Sequence, residues 1–531
     1  MDVSQAVSGY LSKMMLSSGD ASSSKMKVLL LDRETISIVS TAITQSSLLD
    51  YEIYLIDRLD NASREKMRHL RCICLVRPSS ETIQLLIDEL RDPKYGEYYL
   101  FFTNVAKKSA LERLAEADDH EVVKLVQEHF ADYIVINPDL FSLNMSLPQQ
   151  RIWAGSPDKW HPDSLQRCSE GLLAVLLSLK KKPLIRYEKS SPLATKLASE
   201  VRYIMTKEEQ LFDFRKVDTP PILLILDRRE DPVTPLLTQW TYQAMVHHLL
   251  GIKNGRVDLS EVPDIRPELK EIVLSQDQDP FFKKNMYLNF GDLGGTIKEY
   301  VEQYQSKTKN NANIESISDM KRFIEEYPEF RKLSGNAVQK IIQSPNITTG
   351  SKVGVVALYA LRYQRHPSTA LPMLMDLLVA AGNVSTRQAD LVKKVLTYHS
   401  SLHTSDSRTG ISDIFDSAGI FSGTANRFKG LKGVENVYTQ HSSLLEGTLQ
   451  NLIKGRLKEQ QYPFVDDGSS TRDKPQDIIV FMVGGVTYEE AKMIAGVNAT
   501  MPGVRVVLGG TSVHNATTFL EEVEDAVSSW A

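Results

Sequence analysis

The feature that most constrains this chain is a strand grammar that stops and later resumes. Between residues 25 and 137, short apolar runs rich in branched side chains alternate with stretches of helical spacing. The runs are "MKVLLLD" (26–32), "YEIYLID" (51–57), "RCICLV" (71–76), "EYYLFFTN" (97–104) and "DYIVIN" (132–137). Between them lie "ETISIVSTAI", "SSETIQLLIDEL" and "SALERLAEADDHEVVKLVQEHF", all read as helical. Strands that are apolar throughout and separated by helices predict a parallel sheet covered on both faces. The grammar returns at "PILLIL" (221–226), and then only at "IIVFMV" (478–483) and "VRVVL" (504–508). The intervening stretch is helix-rich: "ESISDMKRFIEEYPEF" sets Ile317, Met320, Phe323, Ile324 and Tyr327 on one face, and "STALPMLMDLLVAAG" and "LLEGTLQNLIKGRL" behave similarly. The predicted architecture is therefore α/β and multi-domain. Residues 1–137 form one parallel-sheet domain, 138–255 with 456–531 form a second split in sequence, and 256–455 form a mainly helical insertion.

At 531 residues the chain exceeds one core and suits about three domains. With 42% hydrophobic and 24% charged residues it is neither disordered nor fibrous. The 62 basic and 67 acidic residues give a net charge of -5, without the clustered basic excess that nucleic acid requires. Cys72, Cys74 and Cys168 are too few for a disulfide framework and read as buried, reduced thiols. The start, "MDVSQAVSGYLSKMM", lacks the basic and apolar regions of a signal peptide; Val3, Val7, Tyr10, Leu11 and Met14 make an amphipathic helical stripe instead. "GLLAVLLSL" (171–179) is about half of the ~20 residues a membrane span needs. The expectation is a cytoplasmic protein, monomeric, that meets membranes only through a partner.

Chemistry was sought at the strand ends, where open α/β sheets hold ligands. "LLILDRREDPVTPLLTQW" runs from an apolar strand into Asp227, Arg228, Arg229, Glu230 and Asp231, then Pro232 and Pro235. A strand-terminal Asp can serve as a general base, but no nucleophile, second positioned acid or oxyanion donor follows. The favoured reading is architectural: Asp227 pairs with an arginine or caps the turn, and the prolines start a helix carrying Trp240 and Tyr242. Gly484–Gly485 and Gly509–Gly510 follow strands and would present backbone amides to a phosphate. Without a P-loop lysine or spacing, tight turns are the better reading. Thr487 and Glu490 make a T-x-x-E capping box. His247 and His248 are adjacent and cannot face one ligand from a helix. No cofactor and no metal is called for. An α/β enzyme or phosphate-ligand binder using Asp227 and Gly484 stays as the alternative.

The stretches "LLILDRREDPVTPLLTQWTYQAMVHHLLGI", "FKGLKGVENVYTQHSSLLEGTLQNLIKGRLKEQQYPF" (428–464), "PQDIIVFMVGGVTYEEA" (475–491) and "GVRVVLGGTSVHN" (503–515) resemble the SM proteins. These are Sec/Munc-type syntaxin-binding chaperones of membrane fusion; "MKVLLLDRETISIVS" and "FADYIVINPDLFSLN" extend the likeness to the N-terminal third. The resemblance covers most of the chain and points to the endosomal, trans-Golgi and vacuolar branch. It implies an arch of two α/β domains and a helical third, no enzymatic activity, and a syntaxin-type SNARE as partner. That SNARE would be bound by its N-terminal peptide on the outer face of domain 1 and by its helical bundle in the cleft between domains 1 and 3. The protein would thereby guide assembly of the four-helix SNARE complex and bind the assembled SNARE complex, at Golgi and endosomal membranes reached through the SNARE.

Residue by residue, the resemblance places Leu111, in "FFTNVAKKSALERL", at an apolar position of the peptide pocket, with Val123, Val126 and Glu128 from "EVVKLVQEHF", read as the next helix. An apolar anchor needs such a pocket, and Glu128 suits a donor or basic group of the peptide. Read from the residues alone, Leu111, Val123 and Val126 are helix-face core. The resemblance also sets Asp32, Arg33 and Asp57 at strand ends facing the SNARE bundle; solvated loop charges are the plainer reading. One departure stands out. Relatives carry a long helical hairpin after the segment matching "YPEFRKLSG", whereas here "FRKLSGN" runs straight into "AVQKIIQSPN", which puts any assignment to 315–345 in doubt.

Overall fold

The computed structural model describes residues 1–17, 26–215, 217–262, 265–308, 335–363, 369–402, 441–466 and 474–530. Strands β1 (Lys27–Leu31), β2 (Ile53–Arg58), β3 (Met67–Val76), β4 (Tyr95–Phe102) and β5 (Val123–Glu128) form one parallel sheet in the order β2-β1-β3-β4-β5. A second sheet takes β6 (Ile134–Asn137), β7 (Leu140–Ser142), β8 (Leu184–Tyr187) and β9 (Ile222–Asp227). A two-stranded hairpin of β10 (Arg256–Asp258) and β11 (Glu271–Val273) follows. Finally β12 (Asp477–Val483) and β13 (Arg505–Gly510) complete the second sheet, whose order is β6-β7-β13-β12-β9-β8.

The apolar runs explain this arrangement. Every residue of β1 and β9 is buried, as a parallel strand covered on both faces requires. Alternate residues serve different cores: Leu29, Leu31, Ile73 and Phe101 join one cluster, while Val28, Leu30, Cys72 and Leu100 join another. Each buried Leu, Ile or Val contributes about 1.5–3 kcal/mol. The first cluster continues through the N-terminal helix Val3–Ser17 into the second sheet and the inserted helices Gly335–Gln343, Thr349–Tyr363, Leu371–Ala380 and Thr386–Ser400. The resumed grammar has its reason here: β12 pairs parallel with β9 from Ile478↔Ile222 to Val483↔Asp227.

Three expectations change. Residues 132–137 were placed in the first domain, yet β6 pairs antiparallel with β7 in the second sheet. A run of apolar residues does not specify which sheet it joins, and the first sheet already ends at β5. The helix Leu444–Ile453, read as part of the insertion, packs Leu445, Leu449, Leu452 and Ile453 on the core of the second sheet. Third, "EVVKLVQEHF" is not a helix: β5 occupies Val123–Glu128. Apolar residues at 122, 123, 125 and 126 suit either period, but the helix Lys108–Ala117 has already ended at Asp118 and Glu121, at φ +52°, does not resume it. Asp118 then accepts the Val122 and Val123 amides, at 2.9 and 3.0 Å, and turns the chain onto the open edge of β4. The stripe Ile317 to Tyr327, residues 428–440 and most of 315–345 lie outside the described residues.

Candidate functional site

Strand β9 delivers Asp227 to its carboxyl end, only 2% exposed. Its Oδ2 accepts from Ser191 Oγ at 2.6 Å and from Arg229 Nη2 at 2.7 Å, and its Oδ1 accepts the Arg229 backbone N–H at 3.0 Å. Arg228, 0% exposed, donates Nη2 to Glu490 Oε2 at 2.6 Å, Nε to the Gly485 carbonyl at 3.0 Å and Nη1 to the Asp231 carbonyl at 3.2 Å. Asp231 accepts from the Thr234 amide and hydroxyl and from the Leu444 amide. Burial pushes its carboxyl up, but Arg228, then His441 and Thr234, hold it below the usual range. Arg229 reaches the Pro157 carbonyl and Ser401 Oγ, while His399 Nδ1 donates to the Arg229 carbonyl at 2.8 Å.

The charges of Asp227, Arg228, Arg229 and Asp231 are thus spent inside the protein, while Glu230 is half-buried. Two acids here have the perturbation of a catalytic group: burial, then the charges of Glu490 and Asp231, push Glu489 up to about 8, and burial first, then the charges of Glu230 and Asp227, raise Glu188 well above the carboxylate range. Glu188 is only 4% exposed, and its Oε2 accepts the Asp227 amide at 2.9 Å, so no substrate reaches it. Pro232 precedes a single turn of helix, Val233–Leu236; Leu237 then goes extended. Trp240 falls in the connection and Tyr242 opens a separate helix, Tyr242–Leu249. The expected continuous helix breaks because Thr241 bridges to Asn289 before the chain turns again.

The glycine turns are filled as well. Gly485 has φ +84°, and a Cβ there would sit 2.4 Å from the His514 ring. A Cβ at Gly509 would meet the Phe141 ring at 2.0 Å. Close packing, rather than a phosphate, demands these glycines. The Thr487–Glu490 capping box forms, and Glu490 Oε2 also carries the Arg228 pair.

On the first sheet, β5 slips by one residue against β4: Tyr98 faces Val123 and Tyr99 faces Leu125, so Lys124 is a bulge. Beyond it Val126 stands beside Leu100 and Glu128 beside Phe102. Tyr98, Leu100 and Phe102 share one core cluster, under the helices Ser80–Arg91 and Lys108–Ala117. The bulge therefore brings Val123, Val126 and Glu128 to the face on which Leu111 packs. Val126 remains 44% exposed and Leu111 is half-buried. Glu128 Oε1 accepts the Ala106 amide at 2.8 Å; burial raises its carboxyl, and that hydrogen bond opposes the rise. Leu111, Val123, Val126 and the Glu128 carboxylate thus share one face at the edge strand of the sheet.

The strand-end trio divides. Asp32 is not a solvated charge: it is 7% exposed, its Oδ1 accepts the Glu34 and Thr35 amides, and its Oδ2 accepts the Arg77 amide at 2.6 Å. It ties β1 to β3. Arg33 is exposed, and both residues line a cavity of about 420 Å³ with Arg77, Tyr133, Leu143 and Arg167. Asp57 lies outside that cavity, half-buried, and accepts from the Arg58 amide and Asn61 Nδ2. The partners of these groups, Glu490, Ser191, Ser401 and Arg77, were missed because each is far away in sequence. Only the T-x-x-E spacing gave Glu490 a local signal. Among the described residues no group of three or more His, Cys, Asp or Glu is placed to hold a metal, and no helix is long and apolar enough to cross a membrane.

A parallel first sheet, a mixed second sheet whose strands come from either side of a helical insertion, and a candidate strand end built into the core define a multi-domain α/β protein. The chain belongs to the Sec1 family, the SM proteins, whose model matches residues 27–339 and 334–522. It is 46% identical to vacuolar protein sorting-associated protein 45 of Homo sapiens, over 98% of this chain and 96% of that protein. The Schizosaccharomyces pombe protein of the same name is 44% identical, over 98% and 99%. A solved structure of the SM protein Vps45 in complex with the Qa SNARE Tlg2 superposes with a TM-score of 0.88, at 64% identity, over 100% of this chain and 99% of that one. The two matched segments overlap at 334–339, where Gly335, Asn336 and Ala337 follow one another. The human alignment spans 565 positions, more than the 531 residues here, so the relative carries segments this chain lacks.

Proposed function

We propose that this protein is a chaperone of vesicle fusion that binds a syntaxin-type SNARE and guides its assembly in the endosomal, trans-Golgi and vacuolar pathway. The observation that carries the reading is the Vps45–Tlg2 complex, whose Vps45 chain matches this one from end to end. The site is the face shared by Leu111, Val123, Val126 and Glu128. Its exposed valine and half-buried leucine suit an apolar anchor of the SNARE's N-terminal peptide, and Glu128 suits an N–H donor or basic group beside that anchor. The helical bundle lies against the strand-end surface of the first sheet that carries Asp32, Arg33 and Asp57. The protein works by binding rather than catalysis, since the acids and arginines of the one catalytic candidate are spent on each other. It joins Golgi and endosomal membranes through the SNARE. Mixing the purified chain with the cytoplasmic region of a Qa-type syntaxin and following size-exclusion with light scattering tests the reading. A one-to-one complex is expected; separate elution with every Qa-syntaxin offered would contradict it.

A further inference from the structure

The turn after β12 packs against two polar groups that the protein itself does not satisfy. Tyr398, on the inserted helix Thr386–Ser400, is 0% exposed, and Glu522, on the C-terminal helix Ala516–Ser529, is 7% exposed. Neither Tyr398 Oη nor Glu522 Oε1 has a hydrogen-bond partner among the described residues. Buried polar atoms are nearly always paired, with protein or with ordered water. Both atoms also converge on one place. A Cβ built on Gly484 would stand 3.0 Å from Tyr398 Oη and 3.4 Å from Glu522 Oε1, with Arg228 Cβ at 2.9 Å.

Neither group is free to seek the other. The Tyr398 ring is packed by Trp153, Phe519 and Trp530, whose ring centroids lie 5.7, 5.8 and 6.2 Å from its own. Glu522 is held through its other oxygen, Oε2, which lies 3.2 Å from His514 Nε2. Burial first, then the charges of Glu522 and Asp227, raise the Tyr398 phenol well above its ordinary value, against Arg229 and Arg228. The hydroxyl therefore keeps its proton and needs an acceptor, while the carboxylate oxygen needs a donor. A donor and an acceptor fixed around one space, and not bonded to each other, call for a mediator that does both. Water accepts and donates, and two polar partners are enough to hold one molecule. A metal ion accepts no proton from a phenol, and an anion would face the Glu522 carboxylate.

From this geometry we infer that the turn at Gly484 is a binding site for one water molecule, which accepts from Tyr398 Oη and donates to Glu522 Oε1. The bound water joins the end of β12, the inserted helix and the C-terminal helix into one hydrogen-bonded unit. It also gives position 484 a reason to be glycine beyond its φ of +85°, since any side chain there would take the water's place. The inference stands apart from the choice of SNARE partner.

A high-resolution crystal structure of the unaltered chain is the first test. The expected result is one solvent peak beside Gly484, about 2.5–3.0 Å from both Tyr398 Oη and Glu522 Oε1. Tyr398→Phe keeps the ring and removes one of the two partners, so its crystals should lose the peak. In solution, oxygen-17 relaxation dispersion, which counts long-lived internal waters, should register one fewer in the same variant. The inference is overturned if the parent shows no peak, a direct Tyr398–Glu522 hydrogen bond, or a peak at metal–oxygen distances. A peak of full strength in Tyr398→Phe, or an unchanged count of internal waters, overturns it as well.

Discussion

At the scale of single residues, His247 sets a limit on the conditions this protein tolerates. Its Nδ1 accepts the Ile252 amide at 3.0 Å, so that nitrogen carries no proton, and its Nε2 lies 3.2 Å from the Val513 carbonyl, to which it donates. Burial pushes the ring down to about 4, against the Val513 hydrogen bond and with His514 adding to the fall. In the unfolded chain a histidine titrates near 6.5. As pH falls, the unfolded state therefore takes up the proton first. The stability this ring contributes is complete above about 6.5 and is lost as pH approaches 4. The expected outcome is a lower urea midpoint at pH 5 than at pH 7, with a shallower drop in His247→Gln, whose amide can still face Ile252. An identical drop in the variant would move the effect to another group.

At the scale of elements, the Arg228–Glu490 pair joins the loop after β9 to the start of the helix Tyr488–Thr500. Both side chains are 0% exposed. Removing one partner leaves the other charged and buried, so Glu490→Ala should cost about 3–5 kcal/mol. The exposed pair Lys66–Asp92, with side chains 52% and 66% exposed, is screened by solvent, so Asp92→Ala should leave the midpoint almost unchanged. Urea midpoints of the two variants check the contrast, and similar losses would refute it. How much was legible follows the same division between local and distant. The strands of both sheets could be read because each is apolar along its own length, and the capping box at Thr487 because it is three residues wide. The sheet that β6 joins, and the strand at 123–128, could not. The first depends on which edge is open, the second on a left-handed turn at Glu121 and the waiting edge of β4. For the site, the residues 111, 123, 126 and 128 were named through likeness to a family. Their common face depends on a one-residue bulge at Lys124 that no periodicity reveals. Asp32 was misjudged because the amide it accepts, that of Arg77, is 45 residues away.

At the scale of the whole molecule, function has moved away from the strand end that looks most chemical. The loop Asp227–Asp231 fastens the second sheet to the helices at Ser401 and Leu444, while the face on β5 sits on the edge of the other sheet, open to a partner. Under the proposed function this face receives the N-terminal peptide of a syntaxin-type SNARE. Isothermal titration of a synthetic peptide of that kind tests it most directly, using the parent, Leu111→Arg and Val126→Asp. Val126 is 44% exposed, so its replacement leaves the fold intact. The account predicts saturable binding by the parent and at least a tenfold loss in both variants, since each forces an unpaired charge against an apolar anchor. Equal affinity for parent and variants would contradict it.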